Sequence, residues 1–152
     1  MDTATTQSLT VRRTLAAPRE RVFRAWTTPA LMQRWFPDAG MEMSRCDIDL
    51  RPGGRYRFEG RSPKRPWAVW GEYVDVDPPQ RLVYTWNWEH GDANEPPHAP
   101  TTVTVEFHDR GRRTEIVITH TPFATDVAFR DHQNGWIGCL ERVARFTENP
   151  AA

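Results

Sequence analysis

Residues 126–147 read as one long amphipathic helix, and that stretch constrains everything the rest of the chain can do. Its larger apolar residues are Phe129, Trp136, Leu140 and Val143, with Ile137, Cys139 and Phe146 widening the stripe. Spacings of three, four and seven put these on one face of a helix. Glu141, Arg142, Arg145 and Glu148 fall mostly on the other side. About 22 residues make a helix about 33 Å long, enough to cross a small domain. Such a helix needs a wide apolar surface to lie on. Asn149-Pro150 ends it, because the residue before a proline is pushed out of the helical region.

The preceding sequence supplies that surface as a sheet. Residues 9–15 (LTVRRTL) are partly alternating and form a first strand. Ala17-Pro18 opens a short helix, proline suiting the first helical position, with Val22, Phe23 and Trp26 as its apolar stripe. Thr28-Pro29 starts a second, capped by Thr28, with Leu31, Met32, Trp35 and Phe36 as its apolar face. Pro37 closes it. From Glu42 the period changes to two. Strands are expected at 43–50, 55–60, 67–76, 81–88, 101–108 and 114–120, separated by turn-rich segments such as Arg51-Pro52-Gly53-Gly54 and Asp77-Pro78-Pro79-Gln80. Short links make neighbouring strands antiparallel. The expectation is an α+β fold, a curved antiparallel sheet of six to seven strands wrapped around the terminal helix. Residues 1–152 read as one domain with an ordered core at about 9–148, without internal repeat.

Twenty basic and twenty acidic side chains give no net charge, which speaks against nucleic acid as a partner. The polar start, the absence of a long apolar run and two well-separated cysteines, Cys46 and Cys139, point to a cytoplasmic protein with reduced thiols and no membrane insertion. Of the five histidines, His90, His98, His108, His120 and His132, none pair at zinc-site spacing, so no metal is expected. There is no GxSxG elbow and no P-loop, and no cofactor is expected.

With Ala17-Pro18-Arg19-Glu20-Arg21-Val22-Phe23-Arg24-Ala25-Trp26-Thr27, Pro29, Leu31 and Trp35, then Asp49-Leu50-Arg51-Pro52-Gly53-Gly54-Arg55, Asp77-Pro78-Pro79-Gln80-Arg81-Leu82-Val83 and Gly135-Trp136, the chain resembles the helix-grip (START-like, SRPBCC) superfamily. Within it, the residues are similar to the branch related to the C-terminal domain of the Hsp90 ATPase activator Aha1. The resemblance implies an antiparallel sheet bent around the long helix and enclosing an apolar cavity. Members of the superfamily bind lipids, hormones or polyketides, and some are cyclases or hydrolases. It implies no catalytic motif for this chain.

Seven tryptophans in 152 residues are either ordinary core or the rigid lining of a small-molecule pocket. On the second reading the ligand-binding residues are Trp35, Phe58, Trp70, Tyr84, Trp86 and Trp88, facing Phe129, His132, Trp136 and Leu140 of the long helix. The leading function is then binding of an apolar or aromatic small molecule between that helix and the sheet. An alternative is a cyclase or hydrolase pairing His132 with a strand carboxylate; Arg57, Glu59, Glu72, Asn87 and Glu106 are strand residues of open parity. A further alternative is an Hsp90-type activator module. Gly135, before Trp136 in mid-helix, suggests close approach of the sheet or a ligand. The aromatic and proline-rich loops, such as residues 92–100, suggest a homodimer.

Overall fold

The computed structural model describes residues 7–38, 40–89, 100–123 and 125–149. The strands are β1 (Gln7–Leu15), β2 (Glu42–Ile48), β3 (Arg55–Arg61), β4 (Pro66–Asp77), β5 (Arg81–Glu89), β6 (Thr101–Arg110) and β7 (Arg113–Phe123). The helices are α1 (Arg19–Thr27), α2 (Pro29–Trp35) and α3 (Asp126–Glu148). All seven strands form one antiparallel sheet in the order β1-β7-β6-β5-β4-β3-β2. The architecture is the helix-grip α+β arrangement that the element order implies.

The strand order explains what the short helices are for. β1 and β2 follow one another in the chain, yet they lie on opposite edges of the sheet. The connection must therefore cross a whole face, and it does so as α1 and α2. Their stripes bury Val22, Phe23, Ala25 and Trp26 from α1 and Met32 and Trp35 from α2. Pro18 occupies the N-cap of α1 rather than its first turn, and Thr28 caps α2 without a side-chain hydrogen bond. Pro29 stands in the first turn of α2, where its missing N–H costs nothing.

The Thr125 hydroxyl caps α3, accepting from the Ala128 N–H at 3.1 Å. α3 lies chiefly over β1, at one side of the sheet, and buries Trp136, Cys139, Leu140, Val143 and Ala144. Two cross-links tie the helices together. Arg142 donates twice to the Phe36 carbonyl, at 3.2 and 2.9 Å, and Arg21 donates to the Thr147 carbonyl at 3.0 Å. Cys46 and Cys139 are free and buried, and burial pushes each thiol up to about 12, so both are inert core. Among the described residues no helix is long and apolar enough to cross a membrane. Apart from Pro100, the loop at 92–100 lies outside the described residues.

Gly135 does not have the motive its position suggests. It is exposed, and a Cβ there would have nothing within 4 Å. Close approach is instead the motive for glycines of the sheet and its turns, Gly71 in β4 among them. A Cβ there would stand 2.0 Å from the Thr85 carbonyl oxygen, closer than any packed contact.

Candidate functional site

Strand alternation decides which rings can meet. On β5, Leu82, Tyr84 and Trp86 are buried on the helix-facing side, and Trp88 shares their parity. Register places Phe58 beside Val69 and Val69 beside Trp88, and Tyr73 beside Tyr84. Tyr56, Phe58, Tyr73, Tyr84 and Trp86 thus converge from three adjacent strands. The Tyr56 ring centroid lies 5.1 Å from Phe58, 5.6 Å from Tyr73 and 5.3 Å from Tyr84.

These five rings line a cavity of about 10 Å³, roofed by Trp26, Met32 and Phe36. That is room for about one water molecule. It lies beneath α1 and α2, and no residue of α3 lines it. The expected place is between the long helix and the sheet; this cavity lies to one side of that helix. The reason is topological: β1 pairs with β7, so α3 settles toward that side and leaves β3–β5 to the crossing helices.

Of the expected ligand residues, Phe58, Tyr84 and Trp86 line the cavity. Trp35 backs its wall, with its ring 5.2 Å from Trp26 and its indole N–H donating to the Ala25 carbonyl at 2.8 Å. Trp88 stacks on Trp67 at 5.8 Å, farther along β5. Leu140 is buried core, and Phe129 packs on Phe123 at 6.0 Å near the start of α3. Trp70 is a correction: it stands on the opposite face of the sheet, beside Asn87 in register, with the Arg57 guanidinium 5.2 Å from its ring centre. A run in which Trp67, Ala68 and Val69 are all buried conceals the parity of this strand.

His132 and Trp136 belong to a second cluster, whose centre is a residue sequence reasoning passed over. His120 is fully buried on β7. The Trp136 indole N–H donates to His120 Nδ1 at 3.0 Å. Nδ1 is therefore bare, and Nε2–H donates to Thr101 Oγ1 at 2.6 Å. Both nitrogens are engaged and the tautomer is fixed. Burial, and then neighbouring His132, hold the imidazole down at about 3, so it is neutral at ordinary pH. His132 lies 5.1 Å from His120, ring to ring, and its Nδ1–H donates to the Ala128 carbonyl at 2.9 Å. Trp86 joins the two clusters, its ring 5.1 Å from Trp136 and 5.6 Å from His120.

Among the described residues, the strand carboxylates weighed as partners for His132 stand away from both clusters. Glu59, Glu72 and Glu106 alternate with the buried residues of their strands, so they stand on the face opposite His132. Among the described residues, no group of three or more His, Cys, Asp or Glu could hold a metal ion. Tyr56, Tyr73 and Tyr84 are pushed up by burial and remain phenols. Trp26, Tyr56 and Tyr73 were visible in sequence as apolar positions, but only the sheet register shows that they meet.

Several solved structures share this architecture. A protein from Rhizobium leguminosarum superposes with a TM-score of 0.81 at 27% identity, covering 95% of this chain and 95% of its own. One from Chromobacterium violaceum gives 0.80 at 25% identity, covering 93% and 97%. An AHSA1 protein from Silicibacter pomeroyi gives 0.78 at 22% identity, covering 91% and 96%, a likeness of fold alone. Among curated proteins, none matches this chain. The profile of the family described as "Activator of Hsp90 ATPase homolog 1-like protein" matches residues 16–148, from the turn before α1 to the last residue of α3. The chain belongs to that family.

Proposed function

We propose that the protein binds a small apolar or aromatic molecule in the ring-lined space beneath α1 and α2. The observation that carries this reading is the lining itself. Five rings from three strands meet Trp26, Met32 and Phe36, and the wall carries no formal charge. Rigid rings around a gap, with few polar atoms, are the ordinary chemistry of small-molecule pockets.

The cavity of about 10 Å³ is the closed form. A guest of several ring atoms needs on the order of 300 Å³, so part of the roof must move. Phe36 is the movable part. It is half-buried at the end of α2, and its carbonyl is held by Arg142 from α3. A ligand that binds the open form shifts the population toward it. Titration with an apolar fluorescent probe, followed by quenching of tryptophan emission, tests this. Saturable one-to-one binding, tightened in Phe36→Ala, is expected. A flat or non-saturating titration in both proteins overturns the proposal.

Membership of the activator family favours a second reading, stimulation of Hsp90 ATP hydrolysis. Addition of the protein to an Hsp90 ATPase assay decides it, since a rate unchanged at saturating protein removes that reading.

A further inference from the structure

We infer that the ligand of this space is a neutral, planar aromatic molecule carrying a carbonyl-type acceptor, and that the Trp86 indole N–H is its anchor. The inference rests on the cavity reading above and adds the polar half of the recognition.

Its starting point is an unpaired donor. Trp86 lines the cavity, and its Nε1 is buried with no hydrogen-bond partner. Buried polar groups are nearly always paired, and a buried donor left without an acceptor costs about 1–3 kcal/mol. Trp136 donates to His120 and Trp35 to the Ala25 carbonyl; Trp67 Nε1 is also unpaired, but Trp67 does not line the cavity. At the cavity wall the deficit therefore falls on Trp86. A guest bringing an acceptor there removes it.

The remaining wall groups narrow the class. Tyr56 uses its proton on the Thr85 carbonyl at 2.6 Å. Tyr84 oxygen accepts from Trp26 Nε1 at 3.4 Å, which leaves the Tyr84 proton able to donate. The wall thus offers the Trp86 N–H and the Tyr84 O–H as donors, and of its phenol oxygens Tyr84's already accepts from Trp26. A guest whose polar atom is itself a donor leaves Trp86 as it was. An anion fits no better, because it would shed its water with no cation in the lining to replace it. A carbonyl oxygen supplies lone pairs without charge, and a flat ring beside it stacks among Tyr56, Phe58 and Trp86.

Two probes of nearly equal shape test this, 1-indanone and indane, which differ by one carbonyl. Each competes against a bound apolar fluorescent probe at pH 7. Hydrophobicity alone favours indane, so the expected result, 1-indanone bound about tenfold more tightly, has the opposite order. In Trp86→Phe the order reverses to indane first, while Tyr84→Phe keeps 1-indanone first. If Trp86→Phe does not fold, the wild-type ratio decides. Indane binding as tightly as 1-indanone to the wild type overturns this inference and leaves apolar binding standing. No displacement of the bound probe by either compound also overturns this inference, whereas failure of the probe itself to bind overturns both.

Discussion

The two sides of the sheet are covered in different ways. On the α3 side the buried polar groups are paired: His120 is engaged at both nitrogens by Trp136 and Thr101. Thr114 donates to the Ala17 carbonyl at 2.7 Å, and Thr147 donates to the Val143 carbonyl at 2.7 Å. Under α1 and α2, over β3–β5, ring-on-ring contacts predominate beside a few bonds such as Tyr56 to the Thr85 carbonyl, and Trp67 and Trp86 hold buried N–H groups without acceptors. On the α3 side the Trp136–His120 bond ties helix to sheet, and a one-turn shift would break it. The other side is held chiefly by non-directional contacts, which tolerate rearrangement. The difference separates a frame from a surface able to adapt to a guest.

The largest test of the comparison is Trp136→Ala. It removes a buried indole and strands His120 Nδ1, and a loss of about 3–5 kcal/mol is expected in urea unfolding. Phe36→Ala, on the adaptable side and half-buried, is expected to cost about 1–2 kcal/mol. Equal costs would mean that the two sides are equally rigid.

Acid should attack the frame first. The folded state holds His120 at about 3, while the unfolded chain returns it to about 6.5. Between those values the unfolded state binds one more proton, so stability rises with pH there and is lost as pH falls below about 6.5. The slope from this residue approaches about 1.4 kcal/mol per pH unit. Proton NMR of the imidazole checks the cause: its resonances should stay in the neutral position down to about pH 4. A midpoint near 6.5 in the folded protein would show that burial does not hold it neutral.

A third test asks whether the adaptable side also has an adaptable backbone. In Gly71→Ala the new methyl would meet the Thr85 carbonyl oxygen at 2.0 Å, and Glu72 N–H donates to the Thr85 hydroxyl at 2.8 Å just beside it. Overpacking of this kind costs about 1–3 kcal/mol. A loss in that range, by thermal unfolding, would confine adaptability to the side chains. A neutral substitution would show strands β4 and β5 able to part.

The same division governs what the sequence discloses. α3 was legible because its apolar period is long, interrupted only at His132 and Gln133, and the strands because turns such as Asp77-Pro78-Pro79-Gln80 delimit them. Family membership could be read from local motifs. Parity was not legible where both faces are apolar, as at Trp67, Ala68 and Val69, or at Ile116, Val117 and Ile118 around the approach to His120. Nor did any local pattern reveal that β1 would pair with β7 and draw α3 to that side. The cavity's position follows from that long-range pairing. Trp26 and Tyr73 could not be assigned to one site without it.

The smallest effect concerns the outer surface of the frame. Gly135 sits in mid-helix with φ in the ordinary negative range and empty space where a Cβ would be. Alanine there reduces the entropy of the unfolded chain and adds helix propensity, without a clash to offset the gain. Gly135→Ala should therefore stabilise the protein by up to about 1 kcal/mol, read as a higher urea midpoint with unchanged slope. Because the position touches neither His120 nor the ring-lined space, probe binding should not move with it. Stabilisation together with weakened binding would mean that opening requires α3 to flex, and the frame would then be part of the moving surface.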